Sequence, residues 1–215
     1  MQNNTIITYF GHAMFLIESS EGLKVGIDPY NEQVKDTLPS LSADIVLVSH
    51  EHFDHSNTEL FKDNPEIVNS PDRKTIKGID IEGIRTYHDR SSGEERGQNI
   101  IFKFELDGIS FAHMGDLGHQ LSETQVKELE GINILMLPIG GTYTINYREA
   151  INLIQEIGPN IAIPMHYKQN DTKIEIDTIH NFLGEVKFYK ELGNTIQINR
   201  KELPDHTEIW IPGSS

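Results

Sequence analysis

No cysteine occurs anywhere in the 215 residues. Disulfides, thiolate metal sites, iron–sulfur ligation and cysteine nucleophiles are thereby excluded together. Long apolar runs are also missing: none approaches the roughly 18 residues that a membrane span needs, so no membrane partner is expected. The opening MQNNTIITYF has no basic stretch ahead of an apolar one, and no secretory leader is expected from it. Basic residues are scarce, with 18 Lys and Arg against 33 Asp and Glu and a formal net charge of −15. The only basic runs are RK at 73–74 and at 200–201. A protein that binds through phosphates needs a basic face, so long nucleic acid is not an expected partner. There is no P-loop, no G-x-G-x-x-G and no G-x-S-x-G elbow, and the glutamates form no glycosidase-like pair. With 37% hydrophobic and 24% charged residues, the composition is that of a globular chain. A single domain over 1–215 and a bacterial or archaeal cytoplasmic address are expected, with a homo-oligomer left open.

Strand-like segments dominate. TIITYFG, AMFLIES and LKVGIDP alternate as half-buried strands do. Ile45 to Val48 form a continuous apolar run, the mark of a strand covered on both faces. A short helix is predicted through NTELFKD, then strands near 66–69, 73–77, 80–87, 98–106 and 109–115. In SETQVKELEG, Ser122 and Gln125 have capping-box spacing and Gly131 stops the helix. INILMLPIGG and NIAIPMHY read as buried strands around a helix closed by Gly158 and Pro159. The tail adds a helix near 177–184 and strands near 186–190, 194–199 and 207–211.

The polar residues of interest cluster where these strands end. SHEHFDHS, positions 49–56, packs three histidines and an aspartate into eight residues. Composition alone produces H-x-H-x-D-H in roughly one chain in a thousand of this kind. In extended chain His50 and His52 project to the same side and can share one ion. Asp54 and His55, beyond the turn, can reach a second. Imidazole and carboxylate suit zinc, and also manganese or iron. RTYHD, ISFAHMGDLGH and NIAIPMHY end in the same way and can converge on that point at one rim of a sheet.

Taken together, ITYFGHAMFLIES, VGIDPY, VLVSHEHFDH, HMGDLGH, LPIGGTYTI and IPMHY resemble the metallo-β-lactamase superfamily, in particular small bacterial hydrolases related to L-ascorbate-6-phosphate lactonases. The resemblance implies an α/β fold, a four-layer αβ/βα sandwich of two mixed sheets flanked by helices. It implies a dinuclear site: His50, His52 and His88 on one ion, Asp54, His55 and His166 on the other, Asp116 bridging. His113 is a rival to His88, although on a strand His113 and Asp116 face opposite ways. Otherwise His113 is a hydrogen-bonded core histidine. His119, in the loop after Asp116, is a candidate substrate contact, with a surface-loop histidine as the alternative. His12 is a candidate support for the site from behind the ligands. Asp28 is expected to cap a turn or bond a ligand histidine. Tyr143 and Tyr167 are expected either to pack or to bond an oxyanion.

The implied cofactors are two divalent ions, zinc foremost and manganese or iron as alternatives. The implied reaction is hydrolysis of an ester, lactone or phosphoester in a small metabolite, for which an anion suits the site, by a hydroxide held between the ions, with Asp54 orienting it. Two alternatives belong to other classes, an iron-containing oxidoreductase and an RNA-processing nuclease; the charge and length speak against the second. The loops at 30–40, 89–97, 141–147 and 167–173 are the expected choosers of substrate.

Overall fold

In TIITYFG every second residue is buried, and the segment forms β1 (Thr5–Gly11) in the computed structural model, which describes residues 4–213. The chain continues through β2 (Met14–Glu18), β3 (Lys24–Ile27), β4 (Leu41–Ser42), β5 (Ile45–Leu47), β6 (Phe61–Lys62) and β7 (Glu66–Val68). Next come β8 (Lys74–Ile76), β9 (Ile79–Tyr87), β10 (Gln98–Leu106), β11 (Ile109–His113), α1 (Glu123–Glu128), β12 (Ile134–Pro138) and α2 (Tyr147–Ile157). Last are β13 (Ile161–Met165), α3 (His180–Glu185), β14 (Lys190–Leu192), β15 (Thr195–Ile198) and β16 (Glu208–Pro212).

Two mixed sheets result. The first has the order β15-β1-β2-β3-β5-β7 and the second β14-β16-β13-β12-β11-β10-β9-β8; β4 and β6 form a small separate ribbon. The sheets pack face to face over one apolar core. Ile7, Phe15, Ile27 and Leu47 from the first sheet meet Phe102, Phe111, Met136 and Ile163 from the second. Period-two alternation sends the intervening residues of the second sheet outward. Ile101, Leu135, Leu137 and Ala162 pack there beneath Leu153, Ile154 and Phe182 of α2 and α3. Both predicted helix caps are present. Ser122 and Gln125 bond reciprocally at α1, and Gly158 ends α2 in the left-handed conformation. No helix among the described residues is long and apolar enough to cross a membrane.

The expected pair of mixed sheets is therefore present, with a different cover on one side. The three α-helices of the described residues lie toward the second sheet. The outer face of the first sheet is sealed by Tyr30, Val34, Ala43 and Phe61, from loop and ribbon. The helix predicted through 57–63 is a single 3₁₀ turn, Thr58–Leu60. Phe61 and Lys62 pair instead with Leu41 and Ser42, and the Phe61 ring occupies the space that Gly26 leaves empty. The strand predicted at 186–190 runs from Lys190 to Leu192, where it gains a partner in β16.

Strand direction is what positions the site. Pairing makes β1, β3 and β5 run the same way in one sheet, and β9, β11 and β13 in the other. Each of the six ends just before one of the notable polar segments: His12, Asp28, His50 to His55, His88, Asp116 and His166.

Candidate metal centre

Asp116 stands at the middle. Its Oδ2 is 3.1 Å from His88 Nε2, 3.1 Å from His166 Nε2, 3.2 Å from His55 Nε2 and 3.9 Å from His50 Nε2. All five residues are buried. One carboxylate oxygen cannot accept hydrogen bonds from four imidazoles, and His50 Nε2, His55 Nε2 and Asp116 Oδ1 have no hydrogen-bond partner among the described residues. Buried polar atoms are ordinarily satisfied. A set of unprotonated nitrogens and carboxylate oxygens facing one another without protons to share fits divalent cations.

The tautomers follow from the atoms behind. Asp28, which ends β3 with φ +45°, accepts from the Ser49 amide at 2.8 Å and the Ser49 hydroxyl at 2.6 Å. Its Oδ2 also lies 2.9 Å from His55 Nδ1. A carboxylate only accepts, so His55 Nδ1 carries the proton and Nε2 presents a lone pair to the centre. Ser49 Oγ, having donated to Asp28, accepts from His50 Nδ1 at 2.9 Å, which aims the His50 Nε2 lone pair the same way. One buried carboxylate thus orients two imidazoles.

Two clusters share this centre. Donor atoms of His50, His52 and His88 lie within 4.8 Å of one another, and so do those of Asp54, His55, His166 and His12. The structure brings together all seven residues that the sequence singled out as ligands. His12, the candidate support behind the ligands, lies beside them, and its Nε2 donates to Asp54 Oδ2 at 3.0 Å. His52 alone is half-buried and marks the mouth. Burial pushes the imidazole of His50 well below its ordinary range, with His55 adding to the effect, and pushes His52 down as well. At His55 burial acts in the same sense, but Asp116 and Asp54 outweigh it and draw a proton onto the ring. A divalent ion would take that proton's place.

His113 is not part of the cluster. Its Nε2 donates to Ala13 O at 2.9 Å and its Nδ1 accepts from the Gly115 amide at 3.2 Å, so both ring nitrogens are spent on the main chain. His88 holds the place for which His113 was the rival. The expectation for His119 is corrected. Its Nε2 accepts from the Tyr87 amide and its Nδ1 donates to Gln120 O, and it lines a hollow beside α2 instead of the centre. The chain direction after Gly118 carries it away.

Sequence reasoning missed Asn99. Buried on β10, it accepts from the Asp116 amide at 2.9 Å and donates to Met114 O, fixing the turn that delivers Asp116. Two glycines were also missed as site elements. A Cβ at Gly118 would strike the His88 main chain, and one at Gly140 the His166 carbonyl. Gly140→Ala is accordingly expected to cost about 2–3 kcal/mol and to lower the thermal midpoint by about 5–10 °C. Gly184→Ala, where a Cβ meets open space, serves as the control and should leave the midpoint within about 2 °C.

Known proteins resemble this chain over most of its length. Residues 6–166 match the family described as "Beta-lactamase superfamily domain". A UPF0173 metal-dependent hydrolase of Carboxydothermus hydrogenoformans is 30% identical over 190 residues, covering 75% of this chain and 84% of that protein. One from Archaeoglobus fulgidus is 32% identical over 194 residues, covering 75% and 82%. A crystal structure from Thermotoga maritima, described as a candidate Zn-dependent hydrolase of the metallo-beta-lactamase superfamily, is 34% identical with a TM-score of 0.82. That match covers 98% of this chain and 100% of the other.

Proposed function

The chain belongs to the metallo-β-lactamase superfamily and is a metal-dependent hydrolase, and from that premise we propose that it works with two divalent ions, zinc foremost, on an ester, lactone or phosphoester of a small molecule. His50, His52 and His88 would hold one ion, Asp54, His55 and His166 the other, with Asp116 between them. The observation that carries this reading is the convergence of four imidazole nitrogens on Asp116 Oδ2, with the His50 and His55 nitrogens unpartnered. When bound, such ions polarise the scissile group and make a water acidic enough to attack near neutral pH.

The chain's own residues set the conditions. Asp28 and Ser49 hold His55 and His50 in the tautomers that leave Nε2 unprotonated. Asp54 accepts a hydrogen bond from His12 through Oδ2, which restrains the carboxylate that would hold the second ion and orient the attacking water. No protein nucleophile competes: cysteine is absent, and Ser49 Oγ is buried between Asp28 and His50.

The test is a turnover screen over lactones, carboxylic esters, thioesters and phosphodiesters, with zinc, manganese or iron restored to metal-free protein. Zinc-dependent hydrolysis of at least one ester, lactone or phosphoester is expected. Turnover of none of them with any of the three metals overturns the reading.

A further inference from the structure

A cleft of about 510 Å³ opens directly on the centre, with His50 and His52 in its wall. Arg85 on β9, Arg96 in the loop after it and Gln98 on β10 line the same cleft. Arg85 lies across from Ile100 in the β9–β10 ladder, on the face turned toward the first sheet, where the two sheets part at the site end. Arg96 rests with its guanidinium carbon 4.5 Å above the ring of Tyr143, which belongs to a different loop. Its amide is bonded by Asp89, which also takes the amides of Ser91, Gly93 and Glu95 and so pins the whole loop.

What distinguishes these two arginines is that no side-chain oxygen among the described residues pairs with them. The chain has six. Arg73 is bonded to Asp80, Arg90 to Glu149, Arg148 lies near Glu185, and Arg200 donates to the Asn133 amide oxygen. Among the described residues Arg85 and Arg96 alone have no such oxygen partner, in a chain carrying 33 carboxylate side chains against 18 Lys and Arg. Two carboxylates, Glu51 and Asp72, also border the cleft, and neither pairs with them; Glu51 is bonded by Asn69. Guanidinium groups left open, one of them held on an aromatic face, are suited to a planar or tetrahedral oxyanion.

We propose that Arg85 and Arg96 form an anion subsite that selects, for the metal centre, substrates carrying one carboxylate or phosphate group apart from the bond that is cleaved. The inference rests on the hydrolase reading for the word substrate, whereas its test reads binding alone. Calorimetric titration of the zinc-loaded protein would compare each dicarboxylate from succinate to pimelate with its own monoamide, in which one end is neutral. Phosphonocarboxylates of the same lengths form a second arm, so that a carboxylate and a phosphate preference are told apart.

At least one doubly charged ligand is expected to bind about tenfold or more tightly than its monoamide. Arg96→Ala and Arg85→Ala should each remove most of that preference, whereas Arg148→Ala and Tyr143→Phe should keep it. Zinc content equal to the parent's shows that each variant is folded. A ratio near one for every length in both arms overturns the proposal, as does a preference that survives both arginine changes. If the turnover screen is empty while the arginine-dependent preference is present, the hydrolase reading fails and the subsite stands.

Discussion

Asp116→Asn is expected to lose both ions and nearly all activity. The asparagine keeps the volume and removes the charge, so packing around the site changes little. What disappears is the anion that faces four imidazole nitrogens within 3.9 Å. Two cations at such short range repel strongly, and a carboxylate between them offsets that repulsion for both. Turnover should fall by roughly two to three orders of magnitude, and zinc affinity should weaken at both sites. Asp54→Ala provides the contrast, because His50, His52 and His88 remain. Its zinc titration should show about one tight equivalent against about two in the parent. Two tight equivalents and near-parental turnover in Asp116→Asn would mean that the aspartate only shapes a turn.

The second large effect concerns acid. Burial first, and the neighbouring His166 ring second, push the His12 imidazole down to about 4, against the pull of Asp54. Burial likewise pushes down His50 and His113. In the unfolded chain these rings titrate near 6.5. Below that value the unfolded state binds protons that the folded state refuses, so stability is whole above about 6.5 and falls as pH drops toward 4. From that fall to about 4, the His12 share alone is on the order of 3 kcal/mol, a large part of an ordinary domain's margin. His55 acts oppositely, since its raised affinity for a proton favours the folded metal-free chain at low pH. It is one ring against four, since burial pushes His52 down as well. Urea unfolding of the metal-free protein should therefore give clearly lower stability at pH 4.5 than at pH 7, and His12→Gln should flatten that slope. A level profile between the two values would contradict the account.

Much of this was legible in the sequence because strand ends are local. The apolar run Ile45 to Val48 followed at once by His50, and the same succession at His88, Asp116 and His166, declare both a strand and what hangs from its end. Parallel direction then does the gathering. The less legible parts depend on contacts between distant residues. Asp28 becomes the hub of Ser49, His50 and His55 only when β3 and β5 lie side by side. Phe61 leaves a helical pattern because it fills the hollow over Gly26. His119 failed for the opposite reason: nearness in sequence to Asp116 suggested nearness to the centre, and the loop turns toward α2. Nothing in the sequence sets Arg85 and Arg96 apart; that no carboxylate among the described residues partners them is visible only in three dimensions.

The central claim is that Asp116 is shared by two ions, each with its own three ligands. Crystals grown with zinc and measured on both sides of its absorption edge test this most directly. Two anomalous peaks about 3.5–4 Å apart are predicted, one bounded by His50, His52 and His88, the other by Asp54, His55 and His166, with an Asp116 oxygen on each. A single peak, or a pair of which one lies off Asp116, would contradict it.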